Sequence, residues 1–344
     1  MPIIKRHLVL FSILGGLLLN ADPLKVALYV DVGCRGGGVV HWARLLETSP
    51  EVDLEILNCA DVMSDKLKGK DVLVMPGGGG FERYKQWQEA GCEKFRSFIR
   101  RGGAYFGTCC GLAVALNEDQ RIRLVPFKRD GNLLRGGFDS SVKLLPRAAE
   151  LLGVKAETRS IVYHNGPVPV PADPIPGCAV EVIGTYDCNL MERGREKVSM
   201  HGRPAMIWAT LDKGRMLLLG NHPEYSRCNE DLIAGGFRAL TGRTVTFPYP
   251  SKANRPLRVA YYCSEIDTGT DTRAVVKDAL ALMLRPDVDV QTINGTDIAK
   301  GVLDHVDVVV IPGNRQSKLS AAARDQLRGF RGRVADLGFS PALD

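Results

Sequence analysis

Short apolar runs alternate with segments of helical spacing over the first third of the chain. Residues 24–30, 52–57 and 71–75 are runs rich in Val, Leu and Met, and helical patterns fall around 39–46 and 61–67. Strands that are apolar along their whole length are typical of a parallel sheet with helices on both faces. The pattern therefore predicts an α/β fold with a doubly wound, mostly parallel sheet.

The pattern changes near residue 120 to shorter pieces separated by turns, with a proline-dense stretch at 167–176. A hairpin follows, because two apolar segments flank the turn sequence at 211–214. The second of its strands leads directly into His222, and an earlier apolar strand at 102–106 leads into Cys109. Since ligands bind outside the carboxyl ends of strands in such sheets, we expect these two side chains to meet there.

The last quarter of the chain repeats the beginning. After a predicted linker at 249–256, Leu257–Tyr262 resembles the first strand and 307–313 resembles the third. The likeness ends where the first copy has Cys109, because the sequence there is Leu-Gly-Phe-Ser-Pro, and no counterpart of the histidine follows. We therefore expect 257–344 to be an incomplete second α/β copy that lacks the nucleophile and has a structural or interaction role.

The first residues have the order of a secretory signal peptide. Two basic residues precede an apolar run at 8–19, and Ala21 offers a small residue for cleavage. The apolar run is too short to span a bilayer comfortably. We therefore expect a signal peptide at 1–21, a first domain at 22–248 and a secreted or periplasmic protein without a stable membrane span. An uncleaved N-terminal membrane anchor is the alternative.

Composition limits the classes of partner. Charged residues are 24% of the chain and the formal net charge is +6, but the basic residues are scattered, so we expect no nucleic-acid partner.

The nine cysteines are an odd number, which leaves at least one unpaired, and their spacing matches no zinc site. We expect no metal and no cofactor. In an exported protein, loop cysteines can form disulfides, and the candidates are Cys178, Cys188 and Cys228.

Three motifs carry the candidate chemistry: Pro-Gly-Gly-Gly-Gly at 76–80, Gly-Thr-Cys-Cys-Gly at 107–111 and His-Pro-Glu at 222–224. Glycines on both sides of Cys109 allow a sharp strand-turn-helix elbow that lifts the thiol out of the sheet. A thiol needs a nearby imidazole to be a thiolate at neutral pH. His222 is predicted to supply that imidazole, and Glu224 to orient its ring.

Backbone donors and neighbouring side chains complete the candidate cleft. A tetrahedral oxyanion needs aimed hydrogen-bond donors, which the backbone at 77–80 and the Cys110 N–H can supply. His41 and Trp42 lie in a helical pattern and are expected to pack. Cys34 follows the first strand and is expected to be a turn residue, with a resolving thiol as the alternative.

Four segments, taken together, resemble a known family: 74–84, 102–116, 162–169 and 204–225. They are similar to the N-terminal domain family of biotin-protein ligases, in its stand-alone form without the ligase domain, which belongs to the class I glutamine amidotransferase-like superfamily. The likeness covers roughly 24–248 and implies a flavodoxin-like sheet. We find no ATP loop of a biotin ligase and no ammonia-accepting synthetase domain, so biotinylation is not expected.

The resemblance also implies roles for individual residues. Cys109 corresponds to the amidotransferase nucleophile and His222 and Glu224 to its partners. Gly78 or Gly79 corresponds to an oxyanion-hole position, so both are candidates together with Cys110. Because the family carries a similar segment, three further residues are expected to line the substrate cleft, with a solvated turn as the alternative: Tyr163, His164 and Asn165.

These expectations combine into a thiol hydrolase that cleaves an amide bond through an acyl intermediate on Cys109. The expected partner is a small amide or peptide-like substrate, and a homo-oligomer is left open. Two other functions compete with this one. The chain can be a ligand-binding or regulatory module that keeps the cleft without turnover, or a DJ-1-like redox or stress protein with a reactive elbow cysteine.

Overall fold

The computed structural model describes residues 22–34, 36–130, 137–192, 195–249, 251–262, 272–293, 297–298, 301–312, 319 and 321–337. The predicted signal peptide at 1–21 lies outside these residues. No helix within the described ranges is both long and apolar enough to cross a membrane.

A large sheet with helices on both faces forms the first two thirds of the chain. Its helices are α1 (Gly36–Thr48), α2 (Cys59–Met63), α3 (Gly80–Arg100), α4 (Cys110–Ala115), α5 (Pro146–Leu152) and α6 (Glu230–Thr241). Its strands, with two short accessory pairs, are β1 (Leu24–Tyr29), β2 (Val52–Leu57), β3 (Val72–Met75), β4 (Ala104–Thr108), β5 (Phe127–Arg129), β6 (Gly137–Leu144), β7 (Thr158–His164), β8 (Pro169–Pro171), β9 (Cys178–Tyr186), β10 (Leu190–Glu192), β11 (Arg195–Val198), β12 (Pro204–Leu211) and β13 (Gly214–Leu219).

The strand order of this sheet is β2-β1-β3-β4-β13-β12-β9-β6-β7. Every pairing from β2 to β13 is parallel, and those from β13 to β7 are antiparallel. The predicted α/β fold with a mostly parallel sheet is confirmed, and the predicted hairpin is β12–β13. The antiparallel extension beyond β12 was not part of the prediction, because its strands are only partly buried and carry a weak apolar pattern.

Successive side chains of β4 point to opposite faces of the sheet, and each face is covered by helices. Phe106 packs with Trp42 of α1 and Phe237 of α6, at ring-centroid distances of 5.0 and 5.6 Å. Tyr105, the preceding residue, points to the other face, where its hydroxyl donates to the Gly111 carbonyl of α4 (2.7 Å). All five residues of β4 are buried. The strand that leads to Cys109 is therefore central and held from both sides.

The helix predicted at 61–67 lies earlier in the structure, at Cys59–Met63. Asn58 caps it, because its side chain accepts from the Asp61 N–H while the Asp61 carboxylate accepts from the Asn58 N–H, both at 3.0 Å. This reciprocal capping box fixes the start of the helix. Asp65 then adopts a φ of +64°, which no α-helix accommodates. The helical pattern was right, but these local hydrogen bonds set its boundaries.

A second parallel sheet occupies the C-terminal part. It contains β14 (Leu257–Tyr262), β15 (Val288–Ile293), β16 (Val308–Pro312) and β17 (Arg333–Leu337), with helices α7 (Thr272–Met283) and α8 (Ala321–Gly329). Its order, β15-β14-β16-β17, has the same pattern as β2-β1-β3-β4. The C-terminal sheet packs against α1 of the first part of the chain. Val40 of α1 is buried there among Val259, Tyr261 and Val310. The amino half of α1 therefore lies between the two sheets.

The cysteines of the described residues are all free thiols. They include the three proposed for disulfides, Cys178, Cys188 and Cys228. The first two are only half-buried and hydrogen-bond backbone carbonyls, Cys178 that of Leu124 (3.3 Å) and Cys188 that of Ser141 (3.6 Å). The proposed loop disulfides are therefore not formed.

Candidate active site

Cys109 sits on a strained turn between β4 and α4. Its backbone has φ +52° and ψ −106°, a combination that non-glycine residues rarely adopt. The turn is tight because α4 approaches β3 closely: a Cβ on Gly111 would lie 2.1 Å from the Met75 carbonyl oxygen. Backbone strain of this kind is found mainly where the surrounding structure enforces it at functional sites. The elbow predicted from the glycines is therefore present around this thiol.

Two neighbouring parallel strands bring Cys109 and His222 together. The Cys109 N–H donates to the Leu219 carbonyl at the end of β13 (2.8 Å). Three residues later the His222 N–H donates to the Val162 carbonyl of β7 (2.7 Å), which fixes the backbone that carries the imidazole. Both side chains are buried, at 5% and 3% exposure. The sheet thus places the thiol and the imidazole in one enclosed site.

The charges of this pair favour a thiolate and an imidazolium. Burial acts to raise the pKa of Cys109, but the charge of His222 and its hydrogen bond to the sulfur lower the pKa below its ordinary value. Burial acts to lower the pKa of His222, but Cys109 and Glu224 raise it to about 10. A Cys109 thiolate next to a protonated His222 is the state expected of an activated nucleophile.

Glu224 orients the imidazole from the side opposite the thiol. Its Oε1 accepts a hydrogen bond from His222 Nδ1 at 2.8 Å, and the carboxylate is 1% exposed. A carboxylate only accepts hydrogen bonds, so Nδ1 carries a proton and Nε2 is the nitrogen left for Cys109. Thr108 Oγ1 also donates to Oε1 (3.3 Å) and accepts from Trp42 Nε1 (3.2 Å). Trp42 and Thr108 therefore hold the carboxylate in place.

Tyr225 covers the imidazole and connects it to the second sheet. Its ring stacks on His222 at a centroid distance of 4.8 Å and an interplanar angle of 18°. The edge of His41 meets the same ring at 4.9 Å, and His41 Nε2 lies 3.0 Å from Thr292 Oγ1 of β15. Burial, Arg44 and His222 all lower the pKa of His41, so it is neutral. His41, expected only to pack, joins the active-site layer to the C-terminal sheet.

The glycine loop after β3 borders the same pair. A Cβ on Gly77 would lie 2.5 Å from His222 Cε1 and 3.5 Å from Cys109 Cβ, so only glycine fits. The Gly79 N–H already donates to the Gly33 carbonyl (2.6 Å). The Cys110 N–H hydrogen-bonds to the Cys109 sulfur and helps to lower the pKa of that thiol. Of the three predicted oxyanion-hole positions, Cys110 thus lies beside the thiol, Gly78 follows Gly77 and faces Gly33 and Arg83, and the Gly79 donor is engaged elsewhere.

The segment predicted to line the substrate cleft contacts the site mainly through its backbone. The His164 carbonyl oxygen lies 3.3 Å from Cys109 Sγ. Tyr163 is fully buried, and its hydroxyl donates to the Gly166 carbonyl (2.6 Å). Asn165 adopts φ +55°, so the chain turns directly after His164. Tyr163 therefore supports the loop from behind, and the backbone carbonyl of His164 faces the thiol.

The sequence did not single out every residue that shapes the site. Thr108 and Tyr225 are directly adjacent to the motifs, and that adjacency is the signal that would have drawn attention to them. Trp42 was expected to pack, which it does, but its indole N–H also holds Thr108. Arg83, on the first turn of α3, is fully buried and donates to the Gly77 carbonyl at 2.5 Å. Nothing in an amphipathic helical pattern marks this arginine as buried.

No group of three or more His, Cys, Asp or Glu side chains in the described parts of the chain is arranged to hold a metal ion.

Comparison with known proteins agrees with the family expected from the motifs. Residues 47–117 match the family described as "Biotin-protein ligase, N terminal". This segment contains the glycine loop and Cys109 but covers less than half of the chain. No curated protein shows significant sequence similarity to the chain.

Several solved structures are similar to part of the chain. One is PurLQS from Thermotoga maritima, with 16% identity and a TM-score of 0.46, covering 64% of this chain and 99% of that one. A glutamine amido transferase from Methylobacillus flagellatus has 14% identity and a TM-score of 0.39, covering 60% of this chain and 72% of that one. A β-galactosidase from Bacillus circulans sp. alkalophilus has 12% identity and a TM-score of 0.40, covering 63% and 31%. Likeness at this level carries no argument about activity.

Proposed function

We propose that this protein is a cysteine-dependent, glutamine amidotransferase-like hydrolase that cleaves a C–N bond through an acyl intermediate on Cys109. One observation carries the proposal. On a strained elbow, the buried thiol lies next to an imidazole whose far nitrogen is held by a buried carboxylate at 2.8 Å. Nucleophile, base and orienting group in this relation are the recognisable features of acyl-transfer catalysis.

Acylation uses the resting ion pair directly. The Cys109 thiolate attacks the amide carbonyl carbon, and the carbonyl π electrons move onto oxygen to give a tetrahedral oxyanion. We assign the Cys110 N–H and the N–H of the Gly77–Gly78 peptide as donors to that oxygen, because the first hydrogen-bonds the sulfur and Gly77 borders Cys109. The His222 imidazolium then gives its proton to the leaving nitrogen, the C–N bond breaks, and an amine or ammonia departs. The acyl group stays on sulfur as a thioester.

Deacylation returns the proton to His222. The now neutral imidazole takes a proton from a water molecule, whose oxygen attacks the thioester carbonyl. The second tetrahedral oxyanion collapses, the C–S bond breaks, and Cys109 leaves as a thiolate beside the protonated imidazole. Glu224 holds Nδ1 throughout and stabilises the imidazolium, as expected of the third group in a triad.

The substrate class is proposed to be a small amide or peptide-like molecule. We also propose that residues 1–21 act as a signal peptide, so that the enzyme works outside the cytoplasm. This proposal rests on the order of basic residues, an apolar run and a small residue in that segment.

The C-terminal sheet is proposed to be a second, non-catalytic copy of the first four strands. Its matching strand order supports this proposal.

Intact-mass spectrometry after exposure to glutamine analogues, amide electrophiles and the generic acyl donor p-nitrophenyl acetate tests the proposal. We expect one acyl group to be added to the wild-type protein, mapped to Cys109, and none at this position in Cys109→Ala. His222→Ala is expected to slow adduct formation severely. Equal labelling of the wild type and Cys109→Ala would remove the basis for an acyl-cysteine enzyme.

A further inference from the structure

A buried arginine without a carboxylate partner lies directly behind the glycine loop. Arg83 is 0% exposed, and its Nη2 donates to the Gly77 carbonyl at 2.5 Å. Its other two nitrogens, Nε and Nη1, are buried and have no hydrogen-bond partner within the described ranges. Arg83 therefore makes one hydrogen bond to an oxygen, that of the loop bordering the nucleophile, and a weaker one to the Cys34 thiol.

The surroundings of this guanidinium do not neutralise it. The groups that interact with its charge are the thiols of Cys110 and Cys34 and the phenols of Tyr29 and Tyr105. Burial raises the pKa of each of these four groups, so all are uncharged at neutral pH. Burying a cation without a counter-ion is unfavourable, and a neutral side chain of similar volume would fill the same space more stably. The fixed positive charge therefore calls for a role other than packing.

The hydrogen bond from Arg83 acts on the peptide that joins Gly77 to Gly78. The carbonyl and the N–H of one peptide belong to a single resonance system. A cation that binds the carbonyl oxygen draws electron density toward it, which makes the N–H of the same peptide a stronger donor. That N–H belongs to Gly78, and the next donor along the loop, Gly79, is already bound to the Gly33 carbonyl. The guanidinium thus strengthens the N–H of Gly78, the residue that directly follows the glycine bordering the thiol.

The Gly77–Gly78 peptide lies close to the reacting side chains. Gly77 borders both His222 and Cys109 so closely that no Cβ fits there. A Cβ on Gly78 would meet Arg83 Nη2 at 2.8 Å, so the guanidinium lies immediately behind the loop. Charge that develops on a substrate oxygen in front of the loop would therefore face a polarised N–H with a buried cation behind it. Preorganised dipoles and charges of this kind lower the barrier of acyl transfer.

We propose that Arg83 is a positioning residue for the oxyanion: it fixes and polarises the Gly77–Gly78 peptide and gives the oxyanion hole a permanent positive potential. The inference rests on the acyl-Cys109 chemistry proposed above. It predicts a specific division of effects. Steps that pass through a tetrahedral oxyanion depend on Arg83, whereas steps that need only the thiolate do not, because His222, Glu224 and the Cys110 N–H are the groups that set the pKa of Cys109.

Two reagents separate these steps on the same sulfur. Acylation by p-nitrophenyl acetate passes through a tetrahedral oxyanion and releases p-nitrophenolate as a burst. Alkylation by iodoacetamide displaces iodide from a CH₂ group and forms no oxyanion. In Arg83→Met we expect the burst rate to fall about 10- to 100-fold, which is below the loss caused by deleting a direct oxyanion-hole donor. The rate of Cys109 alkylation is expected to stay within about twofold.

Controls distinguish the charge from the packing. Arg83→Lys keeps the charge but loses the planar fork, and we expect an intermediate ratio of acylation to alkylation. Arg121 is a matched control, because it too is buried and lies near the glycine loop. Its Cζ would be 3.6 Å from a Cβ on Gly80, but no hydrogen bond joins it to Gly77. Arg121→Met is expected to leave the ratio unchanged. Because the ratio is taken on the same molecules, partial unfolding of a variant does not mimic the effect.

The outcomes separate this inference from the proposed function. A wild type that alkylates at Cys109 but never acylates would overturn the hydrolase proposal, and the inference with it. A wild type that acylates, with an unchanged ratio in both Arg83→Met and Arg83→Lys, would overturn the role of Arg83 alone. An equal fall of both rates in Arg83→Met would also overturn it, since that result indicates only a general disturbance of the elbow.

Discussion

The first four strands of the large sheet and the four strands of the C-terminal sheet begin in the same way. At the start of each first strand, an N–H donates to an aspartate at the start of the third: Lys25 to Asp71 at 2.8 Å and Arg258 to Asp307 at 2.9 Å. The two orders, β2-β1-β3-β4 and β15-β14-β16-β17, are equivalent. The two sheets therefore share a strand order, but the proposed chemistry lies on the first of them.

The difference lies at the fourth strand. All residues of β4 are buried, and β13 pairs with it in parallel and leads to His222. In β17, by contrast, Val334 is 40% exposed, and no other strand of the described residues pairs with its outer edge. The proposed nucleophile, which follows β4, is enclosed and gains His222 from the added strand. Within the described residues, the four-stranded C-terminal sheet has no such added strand.

Replacing the base is the strongest way to test this difference. His222→Ala removes the proton donor and acceptor of the first sheet's site, and we expect acylation of Cys109 to fall about 10³- to 10⁴-fold. The matched change in the C-terminal part is His305→Ala, at the end of the short turn Val302–His305, which is expected to have no effect. The p-nitrophenolate burst measures both. Comparable losses in the two variants would contradict the assignment of catalysis to the first sheet.

A glycine pair tests how tightly each unit is packed. Gly111→Ala would place a Cβ 2.1 Å from the Met75 carbonyl, whereas a Cβ on Gly329, at the end of α8, meets nothing within 4 Å. We expect Gly111→Ala to lower the free energy of unfolding by about 2–4 kcal/mol, since backbone must move to admit the methyl group. Gly329→Ala should change it by less than about 1 kcal/mol. Urea unfolding gives both values, and similar losses would argue against a uniquely tight elbow.

Orientation of the imidazole is expected to matter less than its presence. Glu224→Gln keeps the shape of the side chain but removes the negative charge that raises the pKa of His222. The imidazolium would then lose its proton at lower pH, so we expect the alkaline limit of acylation to shift downward and the rate to fall about 10- to 100-fold. A burst-rate profile against pH records both effects. An unchanged alkaline limit would show that the carboxylate does not act on the imidazole.

The smallest expected effect concerns the contact between the two sheets. Thr292→Val removes the hydroxyl that lies 3.0 Å from His41 Nε2 but keeps the shape of the side chain. We expect a change of about two- to threefold in the burst rate, because a single neutral hydrogen bond contributes about 1 kcal/mol and acts here only through Tyr225. A loss as large as that of Glu224→Gln would mean that the C-terminal sheet takes a direct part in the site.

Local patterns predicted much of this arrangement. Val52–Leu57 and the hairpin that ends before His222 follow from apolar runs and a turn sequence, and Cys109 follows from its flanking glycines. The bond from Thr108 to Glu224 and the burial of Arg83 could not be predicted, because each depends on which residues distant in sequence meet across the sheet. Tyr163 was singled out by family likeness, but its hydroxyl is bound to Gly166. The family resemblance identified the segment that contains Tyr163, but it could not show where the Tyr163 side chain points.

The pH dependence of cysteine alkylation tests the central claim, that His222 activates Cys109. Iodoacetamide labelling, mapped cysteine by cysteine, should show Cys109 reacting well below the pH at which an ordinary thiol with a pKa of about 8.5 reacts. Cys92, Cys110 and Cys178, whose pKa values burial raises to about 11, serve as internal controls. In His222→Ala the midpoint for Cys109 should move upward, because burial and Glu224 are then opposed only by the Cys110 N–H. A wild-type midpoint near 8.5 that does not move in His222→Ala would contradict the account.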